Sequence, residues 1–213
     1  MMKAMNDYTN RLFGTNDATS RAILQAIEDE GLPQISVSPA AARWLTMLVS
    51  MTGAERVLEI GALGGYSGLA LLRGLPSTGT LTSLELNESY AHLAKHHLEE
   101  AGFQGRVSYE IGDAMTSLAE LDARGETYDF FFIDANKDGY ADYVEGAMRL
   151  ARPGALIVLD NVFAGGSVYD DRIEAKTSTP FMKRLNAMIA SRTDVRANLL
   201  PIGDGFLVIE LPQ

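Results

Sequence analysis

Between residues 56 and 159 the chain alternates short apolar runs with longer amphipathic ones, and few folds accommodate that rhythm. The runs Arg56–Ile60, Thr80–Glu85, Val107–Ile111, Tyr128–Ile133 and 155–159 are each too short for a helix. Between them lie helical patterns at Tyr66–Gly74, 89–101, 115–123 and 140–151. Strand and helix in steady succession predict a parallel sheet, because parallel neighbours need a crossover of a dozen or more residues. The unbroken apolar stretch Phe130-Phe131-Phe132-Ile133 predicts a strand covered on both faces.

The flanks read differently. Residues 15–30 form a helical pattern with Ile23, Leu24 and Ile27 on one stripe, stopped by Gly31 and Pro33. A second helix is expected over 38–51: Ser38 can cap it, Pro39 suits its first turn, Leu45, Leu48 and Val49 give the apolar face, and Gly53 ends it. After a long glycine-rich connection at 160–178, a helix is expected at 180–191. Runs at 195–200 and 206–211 follow, joined by Pro201-Ile202-Gly203-Asp204-Gly205. So short a link favours an antiparallel hairpin. The expectation is one domain over 1–213, a helical cap at 1–53 and an α/β core at 54–213.

Charge and composition narrow the function. Lys and Arg total 18 against 28 Asp and Glu, a formal net charge of −10. No basic cluster is available for phosphate contacts, so neither a nucleic acid nor an anionic membrane is an expected partner. With no cysteine in the chain, disulfides, thiolate metal sites and cysteine nucleophiles are excluded, and a cytoplasmic setting is expected. No apolar run approaches the roughly 20 residues of a membrane span, and residues 1–14 are too polar for a signal peptide.

Chemistry enters at the first apolar run. Val57-Leu58-Glu59-Ile60-Gly61-Ala62-Leu63-Gly64-Gly65-Tyr66-Ser67-Gly68 reads as a strand, a glycine-rich turn and a helix start. Glycines let a backbone approach a ligand, and a helix N-terminus offers free N–H donors. The spacing Gly-x-x-Gly-Gly-x-x-Gly departs from the Gly-x-Gly-x-x-Gly of dinucleotide enzymes, and Glu59 stands where a pyrophosphate would be repelled. A cationic ligand such as a sulfonium amino acid suits that acid. About 20 residues on, Glu85 ends the next strand, where a carboxylate can accept ribose hydroxyls. The plainer alternative is that Glu59 and Glu85 are solvated strand-end acids.

A second constellation follows. The fourth run ends in Asp134-Ala135-Asn136-Lys137-Asp138 and the fifth in Asp160-Asn161, at the strand ends where open α/β sheets bind ligands. Two carboxylates and an amide oxygen are hard donors that suit Mg²⁺ rather than zinc. Asp113 and Asp138 are equally well placed to be helix caps. His92, His96 and His97 share one predicted helix and are expected on its solvated face.

Taken in order, these residues resemble the cation-dependent O-methyltransferases that use S-adenosylmethionine, the class of the caffeoyl-CoA and catechol enzymes. The resemblance runs from about Val37 to the C-terminus. It rests on Val57-Leu58-Glu59-Ile60-Gly61-x-x-Gly-Gly-Tyr66-Ser67, Glu85, Phe132-Ile133-Asp134-Ala135-x-Lys137, Asp160-Asn161-Val162 and Pro201-Ile202-Gly203-Asp204-Gly205. It implies a Rossmann-like class I methyltransferase fold: a seven-stranded, mostly parallel sheet with one antiparallel strand, helices on both faces and extra N-terminal helices. It further implies that Val37, Glu59, Gly61, Ser67, Glu85, Asp113, Ala114 and Asp134 bind the cofactor. Asp134, Asp160 and Asn161 would bind a divalent cation (Mg²⁺, or Mn²⁺ or Ca²⁺), and Lys137 would be the general base. The implied acceptor is a small phenolic molecule, and the implied assembly is a homodimer. Two departures fall where such enzymes set acceptor specificity: Phe163-Ala164 before the Gly165-Gly166 pair, and the apolar turn Pro39-Ala40-Ala41-Ala42. The competing readings are an NAD(P)-dependent oxidoreductase and a non-catalytic cofactor-binding scaffold.

Overall fold

The structure, a computed structural model, describes residues 2–213. Three helices precede the sheet: α1 (Met2–Phe13), α2 (Ala18–Asp29) and α3 (Pro39–Thr52). The last two begin where their caps dictate. Asp17 accepts from Ser20 N and Ser38 from Ala41 N, and Gly53 closes α3 in the left-handed region at φ +64°. The helix α1 was not legible in the polar opening segment. Polar tethers to distant residues dock it: the Asn6 side-chain amide donates to Gly203 O at 2.8 Å, and Asn10 Oδ1 accepts from Ala40 N at 2.9 Å.

The strands are β1 (Arg56–Ile60), β2 (Thr80–Glu85), β3 (Val107–Ile111), β4 (Tyr128–Ile133), β5 (Ala151–Leu159), β6 (Arg196–Leu200) and β7 (Phe206–Glu210). Between them run α4 (Tyr66–Gly74), α5 (Glu88–Glu100), α6 (Ala114–Ala123), α7 (Tyr140–Leu150) and α8 (Thr179–Ala190). The seven strands form one sheet in the order β3-β2-β1-β4-β5-β7-β6, in which only β7 is antiparallel to its neighbours. Strand β5 starts four residues ahead of the expected 155. Arg152-Pro153-Gly154 reads as a turn, yet the pairing with β4 continues through it by a register shift, and Gly154 N donates to Pro212 O.

Side-chain alternation then builds two cores. Leu58, Ile60, Phe131, Ile133, Ile157 and Leu159 face α6, α7 and α8, while Val57, Phe130, Phe132 and Val158 face α2, α3 and α4. All ten are fully or almost fully buried, which is why their strands read as continuous apolar runs. Strand order reverses at β1, whose neighbours β2 and β4 lead in opposite directions, and a crevice opens at the carboxyl ends there. No helix of the described residues is long and apolar enough to cross a membrane.

The helical cap is joined to this core by the α3–α4 contact, where Thr46 Oγ1 donates to Ala70 O at 2.7 Å. Gly74 makes the closeness possible: a Cβ there would lie 2.5 Å from Thr46 O and 2.7 Å from Val49 Cβ. Gly74→Ala should therefore destabilise the protein by about 1–3 kcal/mol through overpacking. Urea unfolding should show a lower midpoint at an unchanged slope; an unchanged midpoint would contradict this packing.

Candidate functional site

A cavity of about 560 Å³ occupies the crevice, lined by the glycine turn on one side and by Asp134, Lys137 and Asn161 on the other. Gly61 opens the turn at φ +101°, and a Cβ there would stand 2.3 Å from the carbonyl oxygen of Asp134. Only glycine permits β1 to leave the sheet against the end of β4. Gly65, at φ +86°, then starts α4 with no side-chain cap.

Glu85 braces this turn from β2. Its Oε2 accepts from Ala62 N at 2.9 Å and Leu63 N at 3.0 Å, and its Oε1 from Asn87 N at 2.9 Å. Those amides take most of a carboxylate's roughly four acceptor sites. Glu85 lines the cavity, as do Val37, Gly61, Ser67, Asp113 and Ala114. Asp113 also caps α6, accepting from Thr116 N at 2.9 Å.

Glu59 is placed differently from its expected role. It is neither solvated nor on the cavity wall but 1% exposed, accepting from Ser67 Oγ at 2.6 Å and Ser83 Oγ at 2.7 Å. Burial pushes its carboxyl up to about 7 against the pull of those two hydroxyls. Its reach to the cavity is through Ser67. Alternation along β1 put Glu59 on the buried face with Val57, a signal available in the sequence.

Asp134 and Asp160 end the adjacent strands β4 and β5, where Asp160 N donates to Ile133 O. Asp160 is 3% exposed and accepts from Asn161 N at 2.6 Å. Burial first, and then the charge of Asp134, holds its carboxyl well above the ordinary range. Asn161 sits in the left-handed region at φ +59° and lines both this cavity and an adjoining one of about 480 Å³, which Asp160 also lines. Among the described residues no three His, Asp or Glu gather as a metal cluster, so a cation here needs the amide oxygen of Asn161 beside the two carboxylates. The donors fit a hard divalent ion. A buried carboxylate beside a second one, with no basic side chain bonded to it among the described residues, is costly without a counter-charge.

Lys137 supplies part of that charge on the other side. Its Nζ donates to Asp134 Oδ1 at 2.7 Å and to the Tyr140 hydroxyl at 2.6 Å. The buried Tyr140 hydroxyl in turn donates toward Ile133 O and Asp160 O, each at 3.2 Å. Tyr140 was missed in the sequence, although its spacing of three from Lys137 was a cue. Asp138 is not the helix cap it was expected to be: it takes the Asn136 side-chain amide at 2.6 Å, and α7 starts after it.

The histidines do not share one solvated face. His92 is exposed and His96 stands 3.5 Å from Glu100, but His97 is 8% exposed with Nδ1 2.8 Å from Gly64 O. The stripe Ala91, Ala94 and Leu98 already marked that side of α5 as buried. At the far rim, Phe163 packs so closely on the hairpin link that a Cβ at Gly205 would lie 2.4 Å from its ring. Gly165 N donates to Asp204 at 2.8 Å, which ties the connection after β5 to the same link.

Known proteins share this arrangement of sequence and fold. Over residues 18–211 the chain matches the O-methyltransferase family. It is 35% identical over 201 residues to a catechol O-methyltransferase of Niastella koreensis, covering 94% of this chain and 90% of that one. It is also 35% identical to a caffeoyl-CoA O-methyltransferase of Zea mays, over 80% of this chain and 68% of that one. Among solved structures, an O-methyltransferase from Bacillus cereus in complex with SAH superposes with a TM-score of 0.88 at 34% identity, covering 99% of this chain and 100% of that one. One from Streptomyces achromogenes in complex with SAM does so with a TM-score of 0.87, also at 34% identity, covering 99% and 96%.

The displaced titration of Glu59 has a measurable consequence. Its carboxyl moves from 4.5 to about 7 on folding, so between those pH values only the folded state keeps the proton. This contribution to stability is complete below pH 4.5 and is lost as pH rises through about 7, a total of about 3 kcal/mol. Glu59→Gln should remove that slope. Chemical denaturation of the ligand-free protein across this range should show wild-type stability falling relative to E59Q, and parallel curves would contradict the burial argument.

Proposed function

This chain belongs to the O-methyltransferase family, and from that premise we propose that it methylates one hydroxyl of a vicinal aromatic diol. The donor in this reading is S-adenosylmethionine, a divalent cation holds the acceptor, and Lys137 takes the proton. The observation that carries it is the single cavity in which the glycine turn faces Asp134, Lys137 and Asn161. The two relatives solved with SAM and SAH support the choice of cofactor.

S-adenosylmethionine supplies a sulfonium methyl, the electrophile of an in-line displacement. Ser67, Glu85, Asp113 and Ala114 are placed on the wall to receive it, and Gly61 lets it approach the backbone. Glu59 acts behind Ser67, fixing its hydroxyl. Asp134, Asp160 and Asn161 would hold the cation, whose chemistry is to polarise two adjacent acceptor oxygens. A free phenol of pKa near 10 is ionised about one part in a thousand at pH 7, a deficit of roughly 4 kcal/mol. In its neutral form Lys137 would keep N–H donors for Asp134 and Tyr140 and present its lone pair at the cavity wall to take that proton. Holding nucleophile and methyl in line contributes up to about 7–11 kcal/mol more, so positioning outweighs deprotonation.

A methyl-transfer assay over free and thioester-linked phenols tests this reading. Substrates with two adjacent hydroxyls should react, EDTA should abolish the reaction, and Mg²⁺ should restore it. Lys137→Ala and Asp160→Ala should each lower turnover by about 10²-fold or more, while calorimetry shows S-adenosylhomocysteine binding within a few-fold of wild type. EDTA-insensitive methylation of isolated phenols, or cofactor affinity lost in step with turnover, would overturn it.

A further inference from the structure

One buried titratable side chain touches the glycine turn and takes no part in the chemistry above. We propose that His97 is a positioning residue that holds the turn in its ligand-competent shape; this rests on the reading that the turn binds S-adenosylmethionine.

The face Tyr90, Ala94 and His97 of α5 runs along the turn at helical spacing. Tyr90 lines the cavity, and Ala94 stands so near Gly65 that a Cβ there would come within 3.2 Å of it. His97, 8% exposed, places Nδ1 2.8 Å from Gly64 O. The opposite side of Gly64 is closed by α2, since a Cβ there would lie 2.3 Å from Ile27 Cγ1. The turn is therefore gripped through its amides by Glu85 and through a carbonyl by His97. That grip is needed because Leu63 is held at φ +46°, a region a branched side chain leaves when it can.

A carbonyl can only accept, so Nδ1 must carry the proton, and a lone pair facing Gly64 O at 2.8 Å would repel it. Without the donor, Gly64 O is left buried and unpaired and the turn is free to leave its bound shape. Apparent cofactor affinity then falls by the fraction of molecules still competent, whereas saturating cofactor restores the turn and the turnover.

The test pairs His97→Leu, which fills the space without a donor, with His97→Asn, which keeps an amide donor. H97L should raise the Kd for S-adenosylhomocysteine and the KM for S-adenosylmethionine about tenfold, with kcat at saturating cofactor within about twofold of wild type. H97N should recover most of that loss. Imidazole ¹⁵N spectra of the wild type should show His97 protonated at Nδ1. Should H97L not fold, H97M and the wild-type spectrum carry the test. Wild-type affinity in a folded H97L or H97M, a proton on Nε2 with none on Nδ1, or a fall in kcat at unchanged Kd would each overturn the proposal. Failure of the wild-type protein itself to bind S-adenosylhomocysteine would instead overturn the cofactor reading.

Discussion

The backbone contact between Gly61 and Asp134 is the constraint on which the rest of the site depends. Strands β1 and β4 lie side by side and in parallel because the strand order reverses at β1, so their carboxyl ends open onto one crevice. At that point there is no room for a side chain on residue 61. The glycine turn and the acidic end of β4 thus become opposite walls of one cavity, and a donor group on one wall can meet an acceptor on the other. Asp160 is brought in by the next pairing, β4 with β5, in register from Phe130 to Ile133. Catalytic proximity of the kind worth several kcal/mol starts as a matter of sheet topology.

The same crevice concentrates negative charge. Glu59 and Glu85 lie behind and beside the turn, Asp134 lies opposite, and Asp160 is buried at the end of the next strand, where it lines the adjoining cavity. Two devices contain the repulsion within the chain. Burial favours a proton on Glu59 near neutral pH, and Lys137 pairs with Asp134. What remains, Asp160 above all, suits positively charged ligands. In the proposed reading both ligands, a sulfonium nucleoside and a divalent ion, are cations, and a chain of net charge −10 would then serve a nucleoside-derived cofactor that a dinucleotide enzyme's loop would bind through phosphates.

Much of this was legible in the sequence, for physical reasons that differ by element. Strands β1 to β4 were found with the ends they have: β1 and β4, buried on both faces, are apolar along most of their length, and a glycine or an acid stands at the end of all four, the edge strand β3 included. Asp134, Asp160 and Asn161 could be placed at strand ends by counting, and the sheet brings those ends together. The opening of β5 was hidden behind Pro153-Gly154, which locally spells a turn. The helix α1 was hidden because its anchors, Asn6 on Gly203 and Asn10 on Ala40, are contacts between distant parts of the chain. The burial of His97 was missed because it was weighed by residue type, as a polar group that belongs outside, and that of Glu59 because it was weighed only as a ligand of a cation or a solvated acid; in both the periodicity of the residue's own helix or strand placed it inside. Tyr140 was passed over as one more position of a helical pattern.

The most direct test of the central claim is a crystal structure grown with S-adenosylhomocysteine, Mn²⁺ and a catechol, with the metal located by its anomalous scattering. The account predicts one strong peak bonded to oxygens of Asp134, Asp160 and Asn161, with the nucleoside seated on the glycine turn of the same molecule. A metal bound elsewhere, or a nucleoside and a metal in separate cavities, would contradict it.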